Sequence, residues 1–180
     1  SLGAFGLAQF HGQPWALKKP WHWTSVSVEE EGLNLEVPSH FSSSTNATKG
    51  EFREYSFGDF GLDGFVVLVA PVSREEGGMA DEEIQEALKA KKSMTLPERA
   101  RRVEGPRVIG PNEVKNVKGI YEAYDVGQVV RVHSALLWFD TRLIRIDWVS
   151  PASDNNSQGI LWRLVQSLRS SEKSFRISKE

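Results

Sequence analysis

Side chains able to do chemistry gather between Val129 and Val149, where His133, Ser134, Asp140 and Asp147 supply a base, a nucleophile and two acids. Acyl transfer needs the nucleophile hydrogen-bonded to its base. His133 and Ser134 are neighbours on an extended segment, so their side chains point to opposite faces and cannot form a catalytic pair. No G-x-S-x-G turn is present, and a hydrolase triad is not expected. Arg145 and Asp147 lie two apart on one strand face, which predicts an exposed ion pair.

Other chemistries fare no better. The chain has 0 Cys, which excludes disulfides, zinc-thiolate sites and cysteine nucleophiles together. His11, His22, His40 and His133 form neither an i, i+4 pair nor a tight strand pair, so no metal site is expected. A calcium loop starting at Asp59 would have Asp63 and Gly64 in place, but Gly61 and Ala70 stand where ligands are required. No phosphate-binding glycine loop occurs and no cofactor is expected. Lys89, Lys91, Lys92, Arg99, Arg101, Arg102 and Arg107 make a basic stretch without an aromatic to stack a base. It is expected to be a solvated surface, with no nucleic-acid partner.

The aromatic residues offer the one candidate interaction surface. Trp15, Trp21 and Trp23, with Phe10, cluster around a Pro-rich arm. Large aromatics there can anchor an unknown protein partner, or simply cover a sheet end.

The elements that must position these residues follow from pattern. The 180 residues are 39% hydrophobic and 26% charged with net charge −2, an ordinary globular composition with no global attraction to nucleic acid. No window approaches a membrane-spanning length, so no membrane insertion is expected. The opening at Ser1 rather than Met suggests a processed or an engineered start, the first of which is consistent with an exported protein. Residues 1–20 read as an arm, 21–171 as a single domain and 172–180 as a tail.

Within the domain, Trp23 to Val28 and Leu33 to Val37 alternate around Glu29-Glu-Glu-Gly32, a hairpin signal with a polar turn. Ser39 to Gly50 reads as a polar loop, followed by strands over Glu51 to Phe57 and Phe65 to Val72. Asp81 to Lys92 is helical, with acids first and lysines last as the dipole prefers. Thr95-Leu-Pro-Glu98 resembles a capping box, predicting a second helix over Pro97 to Arg102. Extended segments resume through Val149, with short ones at Val108-Ile109 and Val114 to Val117, and Asp154 to Ser170 closes as a helix. A hairpin turning at Asp140-Thr141 pairs Leu137 with Ile144, Ala135 with Ile146 and His133 with Trp148 on the core side. The fold class is therefore α+β, an antiparallel β-sheet with helices packed on it.

The "GLNLEVP" strand, the mid-chain helix, the "VVRVHSALLWFDTRLIRIDW" hairpin and the final "ILWRLVQSLRSS" helix together resemble PsbP/Mog-type domains of small bacterial exported proteins. The resemblance implies an α-β-α sandwich and a non-enzymatic binding or assembly role. No catalytic residue set defines such domains, so none is carried over. The alternative is a carrier of a small apolar ligand in a pocket between sheet and helix.

Overall fold

The computed structural model describes residues 22–41, 44–59 and 64–171. The expected tail and all of the expected arm, including Trp15, lie outside them, as do Trp21, Gly61 and Asp63.

The first two alternating runs form antiparallel strands β1 (Trp23–Val28) and β2 (Leu33–Pro38), with Val26 opposite Leu35 and Val28 opposite Leu33. Their connection is a 3-10 turn over Glu29–Glu31 closed by Gly32 at φ 66°, a conformation glycine adopts without steric cost. A short strand β10 (Arg169–Ser170) extends this sheet on the other side of β2.

The larger sheet has seven antiparallel strands. They are β3 (Ser44–Lys49), β4 (Phe52–Asp59), β5 (Gly64–Pro71), β6 (Ala100–Val108), β7 (Lys118–Val126), β8 (Val130–Phe139) and β9 (Arg142–Pro151), in spatial order β3-β4-β5-β9-β8-β7-β6. The β8-β9 register is the one the alternation predicts, with Leu137 opposite Ile144 and His133 opposite Trp148. Central strands carry the most apolar sequences because both of their faces are covered.

One face of this sheet presents Tyr55, Leu68, Tyr121, Leu137, Ile146 and Trp148 to the core. Helix α2 (Ser157–Ser167) lies on that side against β8, β9 and β2, burying Ile160, Leu161, Leu164 and Val165. Helix α1 (Asp81–Ser93) packs against β6 and β7, where its Lys91 reaches Glu122 on the opposite, outer face. The outcome is the expected α+β arrangement, helices packed on antiparallel sheet.

Glu31 pins the two sheets together. Its side chain is fully buried and pairs with Arg53 of β4 and Arg142 of β9. Tyr55 donates to the same carboxylate at 2.6 Å, and Arg142 Nη2 and Arg74 Nη2 donate to the Glu31 carbonyl at 2.8 and 3.1 Å.

Four elements depart from the sequence reading. Helix Pro97–Arg102 does not form: Ala100 begins strand β6, because pairing with β7 satisfies its backbone where a two-turn helix could not. The Ser39–Gly50 loop contains a 3-10 turn (Ser39–Phe41) that buries Phe41, then edge strand β3, whose six side chains are all exposed. Val114 to Val117 belongs to a turn, with Val114 buried. The closing helix covers only Ser157–Ser167, and Arg169–Ser170 leaves it to pair with β2.

Candidate functional site

Strand register builds a polar row across the outer face. Glu122 of β7 lies opposite Ser134 of β8, which lies opposite Asp147 of β9. Alternation sends their neighbours Tyr121, Ala123, Ala135, Ile146 and Trp148 into the core. All three polar residues are buried, at 4–6% of their full exposure. Covered sheet positions of this kind normally hold apolar side chains.

Helix α1 and the segment after it roof this row and leave a recess of about 200 Å³. Lys91 Nζ donates to Glu122 Oε2 at 2.6 Å. Arg102, opposite Tyr124 in the β6-β7 register, donates through Nη2 to the carbonyls of Lys91 and Met94 at 2.8 and 3.3 Å. It thereby adds a side-chain donor to carbonyls at the end of α1, where the Lys91 carbonyl already accepts from the Met94 N–H. Arg145 reaches the floor, its Nε 3.1 Å from Asp147 Oδ2. Met94, Leu96, Pro97 and Tyr124 complete the lining.

The recess is under-satisfied. Asp147 Oδ1, Arg102 Nε and Arg145 Nε are buried atoms without a hydrogen-bond partner, the Arg145–Asp147 contact being close but poorly aligned. Burial pushes the Asp147 carboxyl above its ordinary range, against the opposing pull of Arg145, a hydrogen bond from Ser134 and Lys91. Burial likewise raises the Tyr124 phenol. Unmatched buried donors cost roughly 1–3 kcal/mol each, so this polar row is held at the expense of stability.

The candidates read from sequence fall in different places. Trp15 and Trp21 are outside the described residues. Trp23 is half-buried at the start of β1, packs on the core, and carries the Arg163 guanidinium 4.3 Å above its ring. His133 is buried on the core side with Nδ1 2.8 Å from the Tyr121 hydroxyl, and burial pushes its pKa down, favouring neutral imidazole. The expected exposed Arg145–Asp147 pair is corrected: Asp147 is buried under α1 and its flanking segment. Of the basic stretch, Lys91 and Arg102 meet at the recess, while Arg107 pairs with Glu104 and Glu113. The Ser134–Asp147 half of the row followed from hairpin register; Glu122, Lys91 and Arg102 required the placement of β7, α1 and β6.

No protein-family model matches the chain, and no curated protein matches it in sequence. Solved structures do resemble it. A Bacteroides thetaiotaomicron crystal structure aligns over 81% of this chain and 47% of its own, at 12% identity and TM-score 0.46. The chain thus spans about half the length of that protein. The solution structure of cyanobacterial PsbP (CyanoP) from Synechocystis aligns over 89% of this chain and 98% of its own, at 12% identity and TM-score 0.51. Identity this low speaks to fold alone, and the chain has an α+β fold similar to that of cyanobacterial PsbP.

Proposed function

We propose that this chain is a non-enzymatic binding module that holds its ligand in the outer-face recess. The carrying observation is a recess of about 200 Å³ lined by the guanidinium groups of Arg102 and Arg145 beside the apolar surface of Met94, Leu96 and Pro97. Catalysis is not favoured by the same groups. Ser134 has the buried Asp147 as its acidic neighbour, and a carboxyl pushed toward its protonated form is a poor base.

The interior offers less for an apolar cargo. Trp148, Tyr121, Leu137 and Leu161 occupy the space between the large sheet and α2, each less than 2% exposed. Where the end of α2 meets β8 a second recess of about 210 Å³ is lined by Leu137, Val165 and Leu168 among others; the outer recess is favoured by the buried polar row beneath it and not by its size.

Equilibrium dialysis against a small-metabolite extract tests the module. Wild-type protein should retain a metabolite that the recess-filling variant Ser134→Trp does not. Equal retention by the two proteins, or none by either, contradicts a ligand at the recess.

A further inference from the structure

We infer that the recess takes a small organic carboxylate, its anionic head against Arg102 and Arg145 and its apolar body under the Met94–Pro97 segment. This inference rests on the binding reading above and adds the chemical class of the ligand.

Charge matching carries the first half of the argument. Lys91 is already neutralised by Glu122 at 2.6 Å. Arg102 is not: among the described residues no carboxylate lies within ion-pair distance of it, and its Nη2 faces only backbone carbonyls. Its Nε is buried and unpartnered. Among the described residues the one carboxylate within ion-pair distance of Arg145 is Asp147, whose burial favours the neutral acid. Two guanidinium groups, one without a carboxylate partner and one paired with Asp147, thus line one cavity. Planar N–H forks suit a carboxylate, which accepts two parallel hydrogen bonds.

Shape carries the second half. A bare inorganic anion would leave most of the roughly 200 Å³ unfilled. Met94, Leu96, Pro97 and the Tyr124 ring offer apolar surface beside the cations, as small-molecule sites with a few placed polar groups do. Net positive charge also disfavours amines, which would add an uncompensated cation.

Isothermal titration of the full chain at low ionic strength with benzoate, benzamide and benzylamine tests the class. Benzoate should bind with a dissociation constant in the millimolar range or tighter, and benzamide at least about tenfold more weakly. Arg145→Gln should weaken benzoate about tenfold or more. Its side chain is 41% exposed, and circular dichroism verifies folding of the variant. Ser134→Trp should abolish binding. Equal affinity for benzamide, or unchanged affinity in Arg145→Gln, overturns the carboxylate inference. Preference for benzylamine, lost in Ser134→Trp, overturns the inference while leaving the recess a binding site. Failure of all three probes, combined with no metabolite retention on dialysis, overturns both.

Discussion

Arg142 holds Glu31 at two points: Nη2 donates to its carbonyl at 2.8 Å while Nη1 pairs with its carboxylate, across 111 positions of sequence. Glu31 belongs to the turn of the small sheet and Arg142 opens β9 of the large one. The contact therefore sets how one sheet sits on the other. Arg53 and Tyr55 from β4 complete the carboxylate's surroundings, so the buried charge is compensated from two strands of the large sheet.

Removing the carboxylate leaves the buried Arg142 with the Glu31 carbonyl at 2.8 Å and Asp140 at 3.9 Å in place of its short ion pair. Glu31→Ala should lose about 3–5 kcal/mol of stability in urea unfolding, the range for breaking one side of a buried pair. Combining it with Arg142→Met should cost less than the sum of the two single changes. Strict additivity would show that the pair does not couple the sheets.

The same carboxylate predicts an acid limb. Burial alone would raise its pKa, but hydrogen bonds from Arg53, Tyr55 and Arg142 outweigh that and hold it below its ordinary 4.5. The folded state therefore binds the proton less readily than the unfolded chain. Its contribution is complete above the unfolded value and is lost as pH falls through the folded one. Urea midpoints of wild type and Glu31→Gln should converge as pH is lowered from about 7 to about 3. A constant difference would remove Glu31 from the acid response.

Asp147 predicts the opposite slope. Its pKa is raised by burial, so the folded state retains the proton more strongly than the unfolded chain. Stability from this group is intact below the ordinary value of 3.8 and declines as pH rises toward the folded one. Asp147→Asn, which cannot ionise, should match wild type near about pH 3 and exceed it at neutral pH. Lower stability of the variant at neutral pH would mean that the ion pair with Arg145 outweighs desolvation.

Two glycines should respond with opposite signs. A Cβ at Gly119 would lie 2.5 Å from the Leu136 carbonyl oxygen and 2.9 Å from Leu137 Cδ2. Gly119→Ala should cost about 1–3 kcal/mol through that backbone clash. Gly159, in α2, has no neighbour within 4 Å of the added atom, and Gly159→Ala should stabilise by roughly 0.5–1 kcal/mol. Thermal unfolding of the two variants checks both signs.

The late hairpin was legible in sequence because alternation and a short turn at Asp140-Thr141 leave few registers that bury Leu137, Ile144 and Trp148 together. Strand β3 was not, since Ser44–Lys49 buries neither face and carries no hydrophobic period. The segment from Ala100 was misread because a capping-box pattern at Thr95–Glu98 is a local signal, and strand pairing with β7 overrides it. Glu31 looked like one acid of a solvated turn. Its burial depends on arginines 22 and 111 positions away, and no local pattern encodes such a pairing. The recess was half readable for the same reason: Ser134 and Asp147 share a hairpin, whereas Lys91 and Arg102 arrive from separate elements.

The central claim is that the outer-face recess binds a ligand, and mapping amide chemical shifts during a benzoate titration tests it most directly. The account predicts saturable shifts centred on Tyr124, Ser134 and Arg145, absent in Ser134→Trp. Shifts centred on the core side around Trp148 and α2, or no saturable shifts at all, would contradict it.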